Sequence, residues 1–290
     1  MSSENKNASY RQDIQVPKPI IYTGQLLQTF SKKWASRYAA RLFITPMKHP
    51  MPKREFEMDR SSNQYTLQLP ESQKEIVVYE YGDGPKTALL VHGWSGRGTQ
   101  LVKIAEALLA QGYKTVSFDA PAHGKAKGRT TNLREFIEAV LLLDKKTGPF
   151  DIGVGHSLGG MTLLNAVRMG ISLQKIAIVG SGDIVTDIMD DFVSKLELKP
   201  EIRHLMQYNF ENTFGEPMNN YAASEAAKKV QAPVLVVHDE NDVEVPVSSA
   251  KNIVKHLPNG ELFITRGLGH RKILGNGTVI DKIISFIHKS

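Results

Sequence analysis

Residues Asp151 to Gly160 read D-I-G-V-G-H-S-L-G-G, a short β-type run that drives into Gly155-His156-Ser157-Leu158-Gly159 and then into the helix-like stretch Met161 to Arg168. A strand that turns directly into a helix places the serine at the bend. Such a turn forces Ser157 into a strained backbone conformation, and it needs glycine at 155 and 159 so that neighbouring chain can pass close by. The result is a hydroxyl thrust out of the fold, where a base can reach it. The helix that follows points its N-terminal N–H groups, and the positive end of its dipole, toward any oxyanion forming beside Ser157. G-x-S-x-G also arises as a bland turn in glycine-rich loops; the strand before and the helix after set this one apart.

A serine needs a base and the base needs an orienting acid, and both follow the nucleophile in a sheet built on such a turn. Of nine histidines, only His256, His270 and His288 lie beyond the strand-like run Ala232 to His238. His256 falls in a helical stretch and His288 near the terminus, so both read as surface residues. His270 sits in Arg266-Gly-Leu-Gly-His-Arg271, a glycine-loosened loop after the strand Glu261 to Thr265. The loop His238 to Pro246 carries Asp239, Glu240, Asp242 and Glu244. Asp242 is the expected acid, because by that point the loop is long enough to turn a carboxylate toward His270; the other three read as solvated charges. The oxyanion needs two N–H donors. Leu158 supplies one, and Trp94 the other, at the end of the apolar run Thr87 to Val91 followed by His92-Gly93. His92 and His123 read as structural residues that shape the loops around the site.

These pieces carry a family resemblance. Val91-His-Gly-Trp94, Phe118-Asp-Ala-Pro-Ala-His-Gly124, Gly155-His-Ser-Leu-Gly159, His238 to Pro246 and Gly267-Leu-Gly-His270 stand in an order and at separations that resemble the α/β-hydrolase superfamily, over about residues 63 to 290. The resemblance implies an α/β fold: an eight-stranded, mostly parallel sheet flanked by helices, with Ser157, Asp242 and His270 as the triad. One departure is that Asp239 stands where the family's acid loop often has glycine, which makes Asp239 the runner-up for the acid. The His-Gly-Trp94 turn, with no run of glycines, is similar to the oxyanion loop of many esterases, lipases and thioesterases.

The chain has 290 residues, of which 41% are hydrophobic, enough for one large core. It contains no cysteine, which excludes disulfides and thiolate chemistry. The N-terminus is polar, and nowhere do 18 apolar residues run together, so a cytoplasmic protein is expected. No phosphate-binding loop or H-E-x-x-H pair occurs, and neither cofactor nor metal is expected.

Charge is unevenly placed. Residues 1–60 hold 11 lysines and arginines against 5 acids, a net +6 that equals the charge of the whole chain. Residues 1–62 therefore read as a basic arm, with an amphipathic helix expected over Gly24 to Phe43. Its apolar stripe is Leu26, Leu27, Phe30, Trp34, Tyr38 and Leu42, with Lys32, Lys33, Arg37 and Arg41 largely off it. Such a stripe docks on the body, docks on a second subunit of a homo-oligomer, or makes a peripheral contact with an anionic membrane. The docked placement is the expectation, because core helices show the same periodicity. Nucleic acid is not an expected partner, since no recognition motif accompanies the modest basic excess.

Residues 63–182 and 231–290 are expected to form the core, and 183–230 an inserted helical cap, far longer than the dozen or so residues of a bare crossover. Its many apolar side chains favour hydrophobic substrates. The function expected is a serine carboxylesterase acting on small to medium hydrophobic esters through an acyl-enzyme. A thioesterase, an acyltransferase or a carbon–carbon bond hydrolase would use the same triad, and a silent scaffold would have no need of it.

Overall fold

The computed structural model of the chain describes residues 16–289. At its centre lies one sheet of β1 (Asn63–Gln68), β2 (Glu75–Tyr81), β3 (Lys86–Val91), β4 (Tyr113–Asp119), β5 (Ile152–His156), β6 (Lys175–Val179), β7 (Val234–Asp239) and β8 (Gly260–Thr265). The spatial order is β1-β2-β4-β3-β5-β6-β7-β8. β2 runs antiparallel to both β1 and β4, and all other neighbours are parallel. The central strands read as unbroken apolar runs because parallel strands are covered on both faces. Alternate residues serve alternate faces. Leu89, Ile176, Ile178, Val234 and Val236 belong to one buried cluster, and Ala88, Leu90, Ala177, Leu235 and Val237 to the other.

The helices, in chain order, begin with α1 (Lys18–Phe30), α2 (Lys32–Phe43), α3 (Phe56–Ser61) and α4 (Val102–Leu109). There follow α5 (Leu133–Thr147), α6 (Leu158–Arg168), α7 (Val185–Lys195), α8 (Glu201–Phe214) and α9 (Ala223–Ala227). Last come α10 (Val247–His256), α11 (Gly269–Lys272) and α12 (Gly277–His288). Buried residues of α5, α6, α9 and α10 join the first cluster, and those of α4 and α12 the second. Asn132 caps α5 by accepting from the N–H groups of Arg134 and Glu135, and Asn276 caps α12 through Val279.

The single helix expected over Gly24 to Phe43 is two helices. Ser31 is extended (φ −161°, ψ 118°), which ends α1, and its hydroxyl accepts from the N–H of Trp34 to start α2. The break splits the apolar stripe. Leu27 and Leu42 pack on the core with Ala35 and Ala39, whereas Leu26, Phe30 and Trp34 stay exposed. The inner face rests on α7 and α8. Gly24 is pressed so closely on Leu198 that a Cβ there would lie 3.2 Å from its side chain.

Between residues 183 and 230 the chain forms α7, α8, a single 3-10 turn (Met218–Tyr221) and α9. The two ends of the excursion meet: the Asp183 carbonyl accepts from Ala223 N–H (3.3 Å) and its carboxylate from Ser224 N–H (2.7 Å). α9 then packs with α6 and α10, as part of the layer covering the sheet.

Four buried histidines lace the loops at the carboxyl ends of the strands. His92, after β3, donates from Nδ1 to Gly93 O and accepts at Nε2 from Ala120 N–H, tying the β3 and β4 loops together. His123 donates to Pro121 O and accepts from Ser95 N–H. His156 and His238 donate to the carbonyls of His270 and Val245. Burial disfavours the charged ring in each case. It lowers His92 well below the usual 6.5, His123 to about 4 and His156 to about 3, with His270 adding to the effect on His156. Below pH 6.5 the unfolded chain therefore takes up protons that the native chain refuses, so stability present above 6.5 is lost as pH falls. Each such histidine contributes up to about 1.4 kcal/mol of loss per pH unit. Urea unfolding between pH 7 and pH 4.5 should show this slope, and His123→Gln should reduce it by about one proton.

Candidate active site

Ser157 caps the end of β5 with φ 52° and ψ −118°, a left-handed conformation costly for a residue with a Cβ. Close packing holds it there. A Cβ at Gly155 would lie 2.4 Å from the Gly159 carbonyl oxygen, and one at Gly159 would lie 2.1 Å from that of Val91. Gly93 abuts the same turn, since its Cβ would come within 2.9 Å of both Ser157 Cβ and His156 Nδ1. The Ser157 N–H donates to Val179 O across to β6 (2.9 Å).

His270 opens α11 in the loop beyond β8, and its Nδ1 lies 2.7 Å from Oδ2 of Asp242 in the loop after β7. A carboxylate only accepts, so Nδ1 carries the proton and Nε2 presents its lone pair. The other Asp242 oxygen accepts from the N–H groups of Glu244 (2.8 Å) and Val245 (2.9 Å). Burial opposes ionisation of Asp242, but the His270 bond and these donors outweigh it and hold the carboxyl below its usual range. His156, the residue before Ser157, anchors this loop: its Nε2–H donates to His270 O (2.9 Å) and its ring centre lies 4.6 Å from that of His270. Gly180, at φ 58°, floors the pair, with room for no more than 3.2 Å between a Cβ and His270 Nδ1.

Asp239 has a different task. It is buried and accepts from Thr265 Oγ1 (2.7 Å) and from the N–H groups of Asn241 (2.9 Å) and Leu268 (3.0 Å), bracing the loop that carries His270. Burial raises its carboxyl, and these donors more than reverse that. Of the four loop acids, only Glu240 behaves as a surface charge, paired with the exposed Arg266. Glu244, expected to be merely solvated, turns toward the site. Its Oε2 lies 4.0 Å from His270 Nε2 and its Oε1 3.1 Å from Arg271 Nε.

The two expected oxyanion donors stand out by their hydrogen bonding. Gly93 N–H donates to Gln100 Oε1, and Ser95 N–H to His123 Nε2. The N–H of Trp94 between them, and that of Leu158 at the start of α6, have no acceptor among the described residues. The half-buried Trp94 ring meets His123 edge-on, with centres 5.4 Å apart. Glu244, His238, Gly180 and the carbonyl-holding role of His156 escape the sequence reading. The signal available for the histidines is that each interrupts or ends an otherwise apolar buried strand.

Comparison with known proteins bears on the family and the fold. A family model described as the alpha/beta hydrolase family matches residues 88–276. A 2-hydroxy-6-oxononadienedioate/2-hydroxy-6-oxononatrienedioate hydrolase from Pseudomonas putida is 22% identical over 276 residues, covering 74% of this chain and 92% of that protein. Among solved structures, a bromoperoxidase from Bacillus anthracis superposes with TM-score 0.60 at 16% identity, covering 79% of this chain and 100% of the other. An esterase from Exiguobacterium antarcticum gives 0.60 at 15% identity, with 78% and 100% covered. The eight-stranded, mostly parallel sheet expected from the sequence is the architecture these structures share. With the family match spanning well over half of its length, the chain belongs to the alpha/beta hydrolase family.

Proposed function

We propose that the protein is a serine hydrolase cleaving carboxylic esters of small to medium hydrophobic substrates through an acyl-enzyme. The observation that carries the reading is the buried Asp242–His270 bond of 2.7 Å, which leaves Nε2 with a free lone pair, in a fold that also sets a serine at the bend of a strand-to-helix turn. Ser157 Oγ attacks the ester carbonyl while Nε2 takes its proton, and the negative oxygen settles against the N–H groups of Trp94 and Leu158. The alcohol leaves with the proton returned by His270; water then enters, its oxygen bonding to the acyl carbon as Nε2 takes its proton, and the acid is released as the Oγ–acyl bond breaks and Nε2 gives that proton back to Ser157 Oγ. The Ser157 hydroxyl makes no hydrogen bond among the described residues. Contacts of this kind commonly tighten only when substrate binds.

An apolar substrate is supported by the residues next to the site. Gly182, two positions from the glycine under His270, is packed by Ile188 of α7 and Met161 of α6, which would lie 3.1 and 3.2 Å from a Cβ there. Glu244 supports a neutral substrate, because its carboxylate stands where the charge of an anionic acyl group would be repelled. The Pseudomonas relative's name describes a dioate, and carbon–carbon bond hydrolysis is the second reading it favours. A turnover panel separates the two. Neutral p-nitrophenyl esters should be cleaved with an optimum near butyryl or hexanoyl, gaining no more than about tenfold per two added carbons, whereas vinylogous diketone acids should turn over poorly. The reverse ranking makes the protein a carbon–carbon hydrolase.

A fluorophosphonate probe should label the native chain once, and Ser157→Ala should abolish labelling without altering the thermal midpoint by more than a few degrees. Asp242→Asn should cost about 10⁴ in kcat, the typical effect of amidating a triad acid. Asp239→Asn should instead lower thermal stability with a much smaller loss of kcat. Exchange of those two phenotypes would make Asp239 the orienting acid. Glu244→Gln should raise kcat/KM for an ester bearing a terminal carboxylate by about threefold to tenfold over the neutral ester, a modest gain because Arg271 already offsets much of the charge.

A further inference from the structure

Between Val16 and Arg54 the sequence holds eight lysines and arginines and no acid. Within that stretch, Lys18, Tyr22, Leu26 and Phe30 recur at four-residue intervals and so form one row along α1. Trp34 follows on α2, just past the break at Ser31, where Lys33, Arg37 and Arg41 make a second row beside it. Tyr22, Leu26, Phe30 and Trp34 are 61%, 59%, 74% and 57% exposed, although the opposite face of the same helices is buried on the protein body. Large apolar side chains set out in series on the outside of a well-packed helix pair are not a folding requirement of this chain.

The charges beside them are unspent. Lys18, Lys33, Arg37 and Arg41 are exposed and pair with no acid among the described residues. The neighbouring acids Glu197 and Glu201, on the adjoining segment, are engaged by Gln25 and Lys32. We infer that α1 and α2 form a peripheral docking face for an anionic lipid bilayer, with the four apolar side chains entering the interface and the basic rows lying against the headgroups. Aromatic and leucine side chains beside lysine and arginine are what an interfacial helix needs. Charge rules against a second copy of the chain as occupant, since a two-fold contact would set this acid-free basic surface against itself. Among the described residues no helix is long and apolar enough to cross a membrane, so the contact is a surface one.

The test is sedimentation of the full chain with vesicles of phosphatidylcholine plus phosphatidylserine, or of phosphatidylcholine alone, at low and high salt. Binding is expected to the anionic vesicles, to fall at least tenfold at high salt or without phosphatidylserine, and to be accompanied by a blue shift of tryptophan emission that Trp34→Phe removes. The double variant Phe30→Glu/Trp34→Glu and the triple variant Lys33→Glu/Arg37→Glu/Arg41→Glu should each weaken binding at least tenfold. Their turnover of a soluble ester and their thermal midpoints should match the native chain, which shows that the fold is intact. Failure of the native chain to bind anionic vesicles at low salt overturns the proposal, as does equal binding by the folded Phe30→Glu/Trp34→Glu variant. A native dimer that this variant dissociates, with no vesicle binding, assigns the face to a second copy and overturns it equally.

Discussion

The site depends on how closely three pieces of backbone approach one another where β3, β5 and α6 converge. Ser157 can hold its left-handed conformation only because Gly155 and Gly159 let the turn close to a distance at which any Cβ would collide with carbonyl oxygens. Gly93 extends the same packing to the loop after β3, bringing Trp94 to the side of the serine. The strain at Ser157 is thus imposed by the sheet and its crossover helix together, which hold both ends of the turn. A single added methyl group at Gly159 would meet Val91 O and separate the helix from the strand, dismantling the turn that holds Ser157 and the adjacent amides at once.

The surrounding electrostatics follow from burial. Four histidines at strand ends are kept neutral, so each can both donate and accept, and each is spent on a loop carbonyl or amide. His270 differs in having a carboxylate on Nδ1, and Asp242 differs from Asp239 in leaving one oxygen free for that bond. The same loop after β7 therefore supplies the carboxylate on His270 Nδ1, a brace and, in Glu244, a negative charge 4.0 Å from His270 Nε2. Three carboxylates of one short loop do three different things because each meets a different partner: Asp239 meets Thr265 of β8 and Leu268, Asp242 meets His270, and Glu244 meets Arg271.

The N-terminal helices add a second surface whose physics is opposite to the core's. Small residues, Gly24, Ala35 and Ala39, form the buried contact, which brings the helices close to α7 and α8. Leu27 and Leu42 pack beside them, whereas Tyr22, Leu26, Phe30 and Trp34 are left outside. Beyond α2 the chain is laced to the loop next to Trp94: Met47 N–H donates to Ser95 Oγ (3.0 Å), Lys48 Nζ donates to the carbonyls of Gly124 (2.9 Å) and Ala126 (3.0 Å), and Arg97 donates to His49 O (2.7 Å). The arm is thereby fastened to the same loops that the buried histidines hold.

Local sequence determined the elements and the chemistry within them. Apolar runs marked the buried parallel strands, and the glycines around Ser157 marked a bend that only a strand-to-helix turn accommodates. A backbone N–H two residues beyond His92 needed no tertiary information to be named, because turn chemistry is local. What only the tertiary structure decided is which groups from distant segments meet. Four acids within six residues look alike in sequence, and the 2.7 Å approach of Asp242 to His270 depends on the relative height of two loops. The arm shows the same division: periodicity announced an amphipathic helix, but the break at Ser31 rotated the stripe, so that part of it packs and part faces solvent. The spacing of apolar residues along a helix reports only that it has a greasy side. Which side the body covers is set by the shape of the surface it meets, where alanine and glycine allow a closer fit than tryptophan and phenylalanine.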